Sequence, residues 1–335
     1  MRAVRLHKIS EQFQVDQIPD PVAPAGGAVV RLETAALNHR DEFIRVGLYS
    51  KIQLPVVLGS DGAGVVESVA PGVDSGWVGR KVVVNPQDDW GMDPRAQDPK
   101  TFFIRGMPKQ GTFAEKIALP LDRLEPMPEH LSWPEAAALP LAGLTAYRAL
   151  VTRGEVKRGD HVLITGIGGG VAIIALQLAQ ALGAKVSATS GSEEKLQRAR
   201  EMGAIAAVSY KEKGWEKVIA QQAGGPPSVV IDSAGGPDFG AVVNAVAPGG
   251  RIVIYGATRG PAEKFELTRV FFKQIDIRGT TMGTDDEFRA VLRLVAKERV
   301  RPVVDHVFPL SQAAEADRRM AQGEQMGKIV LNCRA

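Results

Sequence analysis

Hydrophobic residues recur in two different rhythms along the chain. After Pro134, short apolar runs alternate with amphipathic stretches about every 23 residues, which is typical of βαβ units. This pattern predicts six strands at 161–165, 185–189, 206–210, 228–232, 251–255 and 275–279. It places helices at 171–182, 193–202 and 239–246. Six strands in this rhythm predict a doubly wound parallel sheet with right-handed crossovers.

Before residue 125 the pattern is β-rich. Apolar runs at 27–32, 62–69, 81–84 and 112–118 are separated by Gly and Pro, with few periodic helices between them. Parallel strands need long crossovers, so we expect an antiparallel or barrel-like sheet here. Residues 85–111 are polar and rich in Pro and Asp, and they predict a long surface loop.

The last fifty residues return to a mixed pattern. We predict helices at 286–298 and 312–322 and strands at 303–308 and 328–332. This tail is too short to form a hydrophobic core alone. We therefore expect it to fold back onto the first domain.

Composition narrows the function classes. The chain has 335 residues, 44% hydrophobic and 24% charged, which fits about two globular domains. Its 41 basic and 38 acidic residues form no basic tract, so neither nucleic acid nor an anionic membrane is an expected partner. The N-terminus lacks an apolar signal core, and the apolar stretch 171–182 is too short to span a membrane, so we expect a cytoplasmic protein. The single cysteine, Cys333, excludes an intrachain disulfide and a zinc site built on several thiolates.

A glycine-rich loop follows the first strand of the βαβ region. Glycines occupy positions 166, 168, 169 and 170, directly before the predicted helix. A dinucleotide needs such a tight turn, close approach of the backbone to its pyrophosphate, and a helix N-terminus aimed at the charge. The three small positions of the dinucleotide fingerprint fall on Ile167, Gly169 and Ala172, so only the central glycine is kept. The alternative is a glycine-rich turn that binds nothing.

The tip of the second strand indicates which dinucleotide binds. NAD-binding sheets carry a carboxylate there for the ribose hydroxyls, whereas this chain has Ser190 and Ser192, with Lys195 one helical step on. Hydroxyls and an ammonium suit a 2′-phosphate, so the sequence favours NADPH over NADH. Two observations weigh against this: Ser192 could simply cap the next helix, and Glu193 and Glu194 bring negative charge nearby.

Several segments together resemble the medium-chain dehydrogenase/reductase superfamily, specifically its zinc-free quinone oxidoreductase branch. They are LNHRD at 37–41, IRVGLY at 44–49, LGSDGAGVV at 58–66, AAALP at 136–140, GLTAY at 143–147, the glycine loop, VIDS at 230–233, PGG at 248–250 and GKIV at 327–330. The resemblance implies a GroES-like catalytic domain from residues 1–128 and 284–335 and a Rossmann domain from 129–283. It implies an active site in the cleft at the carboxyl ends of the strands. It also implies a homodimer, possibly a tetramer, joined near 275–279.

The resemblance also assigns candidate site residues. Asn38 and Tyr49 would lie near the substrate and Thr145 near the nicotinamide. The matching cofactor positions are Gly168, Gly169, Gly170, Val171, Ser190, Ser192, Lys195, Tyr210, Gly256 and, more weakly, Lys328. Asn38 could instead cap the following helix, with Asp41 in its first turn, and Tyr49 could simply pack at a turn. His39 and Arg40 are interpreted as surface or structural residues.

Alcohol dehydrogenases of this superfamily hold a catalytic zinc at three places, which fall here on Asn38, Ser60 and Leu141. None is a good zinc ligand, although His39 and Asp61 lie beside the first two. Residues 85–111, where a structural zinc would lie, contain no cysteine. We therefore expect no metal.

An alcohol is hard to oxidise without a Lewis acid, whereas an electron-poor acceptor can take hydride directly from a nicotinamide. The sequence thus predicts an NADPH-dependent reductase of quinones or α,β-unsaturated carbonyls. Two alternatives stay open: an alcohol dehydrogenase with an atypical metal site, and an NADPH-binding protein without turnover.

Overall fold

The computed structural model describes residues 1–263 and 265–335, which form two compact units. The terminal unit combines Met1–Ala142 with Gly283–Ala335, and the central unit is Gly143–Met282. Within these residues the terminal unit contains three sheets and the central unit one, and each unit has its own hydrophobic core, as an independently packed domain requires.

The strands are β1 Arg2–Leu6, β2 Gln14–Gln17, β3 Gly27–Ala36, β4 Val56–Val57, β5 Asp61–Val69, β6 Lys81–Val84, β7 Gln87–Asp88, β8 Phe103–Ile104, β9 Lys116–Pro120, β10 Leu124–Pro126, β11 His161–Ile164, β12 Lys185–Ser190, β13 Ala206–Ser209, β14 Val229–Asp232, β15 Arg251–Ile254, β16 Asp276–Gly279, β17 Val304–Pro309 and β18 Lys328–Asn332. The helices are α1 His39–Arg45, α2 Trp133–Ala138, α3 Pro140–Tyr147, α4 Gly170–Ala181, α5 Glu193–Glu201, α6 Trp215–Ala223, α7 Phe239–Ala245, α8 Leu267–Lys273, α9 Asp285–Glu298 and α10 Ala313–Ala321. A π-helical turn at Arg148–Arg153 continues α3. None of the helices in the described residues is both long and apolar enough to span a bilayer.

The main sheet of the terminal unit runs in the order β10-β6-β5-β3-β18-β17, and β9 also pairs with β3. All its pairs are antiparallel except β17 with β18, so the predicted antiparallel sheet is confirmed. The tail joins this sheet through β18, where Leu331 faces Ala35 of β3, as expected for a segment that cannot form its own core. Helix α2 packs on β3 and β5, so the terminal unit extends beyond the boundary expected at residue 128.

Two predictions for this unit need correction. The strand expected at 112–118 begins only at Lys116, because the backbone N–H groups of Thr112 and Phe113 donate to the carbonyls of Gly59 and Leu58 instead. The segment 85–111 is not simply a surface loop. It contains β7 and β8, and the buried Arg105 donates to the buried Asp88 at 2.6 Å. Charged residues stay buried when they are paired.

The central unit contains the predicted sheet. Its order is β13-β12-β11-β14-β15-β16 and every pair is parallel, which is the doubly wound dinucleotide-binding arrangement. All six strands fall within one or two residues of their expected bounds. The helices α6 and α8 were not predicted from the pattern.

A buried carboxylate in the terminal unit gives a pH prediction. Asp317 of α10 is fully buried, and its Oδ2 lies 2.6 Å from Arg45 Nε. Glu42 Oε2 lies 2.8 Å from the same nitrogen. Burial, and then the like charge of Glu42, raise the pKa of Asp317 to about 7. A folded-state pKa above the unfolded value of 3.8 means that the native state binds more protons between these values, so stability falls as pH rises from about 4 to 7.

We therefore expect Asp317→Asn to stabilise the protein, relative to wild type, more at pH 8 than at pH 4.5, by an amount on the order of a few kcal/mol. Urea unfolding at both pH values measures it. Asp305→Asn is the matched control. Burial opposes ionisation of Asp305, but the hydrogen bonds from Arg319 and the Met326 N–H, together with the positive charge of Arg319, outweigh burial and lower the pKa of Asp305. Removal of the Asp305 carboxylate should therefore lower the free energy of unfolding more at pH 8 than at pH 4.5. Parallel pH trends in the two variants would contradict the assignment.

Candidate functional site

The glycine loop between β11 and α4 has a backbone that only glycine adopts easily. Gly166 has φ +65° and Gly168 has φ +143°, both in the left-handed region. Ile167, which stands where the fingerprint has glycine, is 1% exposed, and its N–H donates to the carbonyl of Thr189 at 2.7 Å. The missing fingerprint glycine is thus replaced by a packed side chain, while the turn itself is retained.

Helix α4 begins directly after this loop with a bare N-terminus. Gly169 is its N-cap, and within the described residues no side chain caps the first-turn N–H groups. The first turn, which starts with Gly170 and Val171, also carries no acidic residue. A twelve-residue helix with uncapped N–H groups is suited to a phosphate.

Lys195 lies across the glycine loop. A Cβ added at Gly168 would come within 2.8 Å of Lys195 Cδ and 3.1 Å of its Nζ. The backbone angle of Gly168 favours glycine, and the contact shows that the lysine side chain lies directly against the loop. The arrangement places an ammonium beside the helix terminus, as an anionic ligand needs.

Hydroxyl groups line the tip of β12. Ser190 is buried and its Oγ accepts from the N–H of Ser192 at 3.2 Å. Ser192 caps α5 by accepting from the N–H of Lys195, so the helix-cap interpretation of this residue is correct. The hydroxyl of Tyr210 would lie 2.5 Å from a Cβ at Gly191, so Tyr210 also reaches the tip.

The negative charge that weighed against NADPH is partly neutralised. Glu193 pairs with Arg200 at 2.7 Å on the surface of α5. Positive charge also lies against Tyr210, because the guanidinium of Arg259 is 5.1 Å from the centre of the Tyr210 ring. This region therefore combines hydroxyl donors with positive charge.

Two further predicted residues, Thr145 and Gly256, lie in the central unit. Thr145 of α3 is buried, and its hydroxyl contacts the Met282 sulfur at 4.0 Å. Gly256 follows β15, where a Cβ would come within 3.1 Å of the Ser233 carbonyl.

The terminal unit contains a buried charged network that joins three segments distant in sequence. Lys328 opens β18, Asp61 opens β5, and Asn38 is the N-cap of α1. The Lys328 ammonium donates to Asn38 Oδ1 at 2.6 Å, to the Leu37 carbonyl at 2.6 Å and to Asp61 Oδ2 at 2.9 Å. An ammonium has three donors, and all three are satisfied here.

Asp61 completes this network, with 0% of its surface exposed. Its Oδ2 accepts from Asn38 Nδ2 at 2.9 Å, and its Oδ1 accepts from the Leu141 N–H at 2.7 Å. Asn38 and Leu141, on which the zinc-ligand positions of alcohol dehydrogenases fall, are thus joined by a carboxylate, and Ser60 directly precedes it. Sequence reasoning treated Asp61 only as a neighbour of the metal position and Lys328 as a weak cofactor candidate.

The N-cap interpretation of Asn38 holds for its backbone. Asp41 Oδ2 accepts from the Asn38 N–H at 2.9 Å, and burial raises the pKa of Asp41. The Asn38 side chain is nevertheless committed to Asp61 and Lys328.

Arg40 is structural, as expected. It is buried and donates to Ser60 Oγ at 3.2 Å and to the Arg105 carbonyl at 2.9 Å. Its guanidinium also lies 5.2 Å from the centre of the half-buried Tyr49 ring. His39 is exposed. Tyr49 therefore packs at this turn with its ring against a cation.

Comparison with known proteins agrees with this architecture. The pattern of the alcohol dehydrogenase GroES-like domain matches residues 24–129, and that of the zinc-binding dehydrogenase family matches residues 170–297. The zinc-type alcohol dehydrogenase-like protein YogA of Leptosphaeria maculans is 35% identical, covering 95% of this chain and 94% of its own. The quinone oxidoreductase of Mus musculus is 29% identical, covering 99% and 97%. A crystal structure of an NAD-dependent alcohol dehydrogenase matches with a TM-score of 0.94 at 39% identity, covering 99% of both chains.

A GroES-like unit combined with a doubly wound parallel sheet defines an oxidoreductase that uses a nicotinamide cofactor. The chain belongs to the medium-chain dehydrogenase/reductase superfamily. The glycine loop, the α4 N-terminus and Lys195 fit the cofactor that this superfamily uses.

The residues do not fit the zinc that the matched family description implies. Asn38 and Leu141 offer an amide and an apolar side chain, and Ser60 Oγ donates to the Arg105 carbonyl at 2.7 Å. No group of three or more His, Cys, Asp or Glu able to hold a metal occurs within residues 1–263 and 265–335. The carboxylate that lies among these positions, Asp61, already pairs with an ammonium. A metal would therefore face a cation and would lack its usual nitrogen and sulfur ligands.

Proposed function

We propose that the protein is an NADPH-dependent reductase that transfers hydride to a quinone or an α,β-unsaturated carbonyl without a metal. The observation that carries this proposal is the Lys328–Asp61–Asn38 network. Through Asp61 it joins the Asn38 side chain and the Leu141 N–H, and these residues are two of the three positions assigned to a catalytic zinc. Without a Lewis acid an alkoxide lacks stabilisation, whereas an activated acceptor needs only positioning and hydrogen bonds to its developing oxyanion.

The cofactor, when bound, supplies the hydride. The backbone N–H groups at Gly169, Gly170 and Val171 would hold its pyrophosphate, because they lie at the N-terminus of α4, which no side chain of its N-cap residue covers. In our proposal Asn38 donates its remaining amide N–H to the acceptor oxygen as negative charge develops there. The proton that completes the reduction comes from solvent or from the Tyr49 hydroxyl.

The preference for NADPH rests on the tip of β12. It carries hydroxyls from Ser190 and Tyr210, and Lys195 provides an ammonium close to the loop. A carboxylate at this tip would instead favour the ribose hydroxyls of NADH. Because a related protein of known structure is an NAD-dependent alcohol dehydrogenase, the KM values of this protein for NADPH and NADH should be measured side by side.

The names of the relatives favour a second candidate, an alcohol dehydrogenase with an atypical metal site. Metal removal separates the two. We expect that dialysis against EDTA and 1,10-phenanthroline leaves NADPH-dependent reduction within about twofold of the untreated value, because no step depends on a Lewis acid. Added zinc should give no alcohol oxidation. Stoichiometric zinc by mass spectrometry, with loss of activity on its removal, would contradict the proposal.

The experiment that tests the function itself is a screen of NADPH and NADH oxidation against quinones, enals and enones, with primary and secondary alcohols tested in the oxidative direction. We expect turnover of electron-poor acceptors with NADPH. Tight NADPH binding without turnover over the whole panel would instead support a non-catalytic cofactor-binding protein.

We also propose a homodimer joined through the edge of the central sheet. Strand β16 pairs with β15 on one side and forms the end of the sheet order. Nearby, Leu267, Phe271 and Phe272 of α8 are 67%, 62% and 75% exposed. An open strand edge beside exposed aromatic residues is suited to pairing with a second copy. Light scattering would show a monomer if this is wrong.

A further inference from the structure

The orientation of the Asn38 carboxamide is fixed by the charges on its two sides. The Lys328 ammonium can only donate, so the carboxamide must turn its oxygen toward it, at 2.6 Å. The Asp61 carboxylate can only accept, so it must receive the amide nitrogen, at 2.9 Å. A flipped amide would set oxygen against carboxylate and N–H groups against ammonium. One orientation is therefore strongly favoured.

The amide nitrogen of Asn38 carries two hydrogens, and Asp61 takes one of them. For the second, the described part of the chain provides no acceptor, and Asn38 retains 8% of its surface exposed. A ligand could accept this second hydrogen. The ammonium on the carbonyl side also polarises the amide, which strengthens the N–H as a donor.

We propose that Lys328 is a positioning residue for reduction: its ammonium holds and polarises the Asn38 carboxamide so that one N–H is presented to the acceptor oxygen. This inference rests on the proposed function. In this proposal the buried ammonium strengthens a hydrogen bond to the developing oxyanion. That hydrogen bond provides the stabilisation that a metal would otherwise provide. Lys328 itself touches no substrate, because all three of its hydrogens are already used.

The obvious variant, Lys328→Met, leaves the fully buried Asp61 carboxylate without its cation and risks unfolding. The charge-balanced double variant Asp61→Asn/Lys328→Met avoids this. The asparagine introduced in place of Asp61 would offer both a donor and an acceptor, so either orientation of the Asn38 amide would be satisfied. We expect kcat to fall about tenfold, the effect of losing one charge-assisted hydrogen bond, with little change in the NADPH dissociation constant.

The decisive measurement is a double-mutant cycle on kcat with Asn38→Ala. If Lys328 acts through Asn38, the Asp61→Asn/Lys328→Met pair should change kcat less than about twofold once Asn38 is alanine. Equal effects in both backgrounds would indicate a merely structural role and overturn the inference. Melting temperatures of all four proteins show whether stability follows kcat, which a purely structural role requires.

A neutron crystal structure of the charge-balanced variant distinguishes the amide oxygen from the amide hydrogens and gives a readout that is independent of turnover. We expect the Asn38 carboxamide to leave its wild-type rotamer or to be split between two. An unchanged, fully occupied rotamer would overturn the inference even if every acceptor is reduced normally. Conversely, an altered rotamer in a protein that reduces no acceptor would refute the proposed function and leave the positioning by Lys328 intact.

Discussion

Lys195→Glu should raise the KM for NADPH about 100-fold while changing the KM for NADH by less than about threefold, because it replaces a charge-assisted phosphate contact with repulsion. The structure places the Lys195 ammonium over Gly168, and it places the Tyr210 hydroxyl beside Gly191 at the tip of β12. NADPH and NADH differ only in the 2′-phosphate. A change confined to NADPH therefore locates that phosphate beside Lys195.

Steady-state kinetics with both cofactors and one fixed acceptor measures this selectivity. Lys157→Glu is the matched control, since it makes the same charge reversal at an exposed position just before β11. The glycine loop follows the other end of this strand. It should leave the KM values for both cofactors unchanged. Equal increases for NADPH and NADH in Lys195→Glu would place the lysine at the shared pyrophosphate, and the assignment to the 2′-phosphate would be wrong.

Asn38→Ala should lower kcat by about 100-fold at saturating NADPH, the usual effect of removing one donor to a developing oxyanion. The KM for NADPH should change little, because the predicted cofactor residues other than Lys328 lie in the central unit. The variant also leaves one donor of Lys328 unmatched, so some loss of stability is expected. Activity should be measured well below its melting temperature.

Thr34→Val is the control for this loss of stability. Thr34 is a buried residue of β3 whose hydroxyl donates to the Trp133 carbonyl at 2.7 Å, so its isosteric replacement also removes one buried hydrogen bond in the terminal unit. We expect it to cost about 1 kcal/mol of stability and to keep wild-type kcat. If Thr34→Val and Asn38→Ala lower kcat equally, Asn38 has no role in the reaction beyond folding.

The sequence by itself determined the architecture of the central unit. Strand and helix periodicity is a local property, and apolar runs such as that of β11 can be recognised without knowing their neighbours. The glycine loop could be predicted for the same reason, since the loop and the helix that follows it are contiguous. Ser192 shows the limit of local reading: two roles were compatible with its position, and the hydrogen bond to the Lys195 N–H established the cap.

Tertiary structure alone decided the network around Asn38. Its members Asn38, Asp61 and Lys328 lie far apart in the chain, and they meet because β3 pairs with both β5 and β18. No local pattern records such pairing. The sequence could say that zinc ligands are missing, since residue identity suffices for that. It could not say that a buried ammonium is hydrogen-bonded to Asn38, one of those positions, because a buried lysine becomes recognisable only when the acceptors that surround it are known.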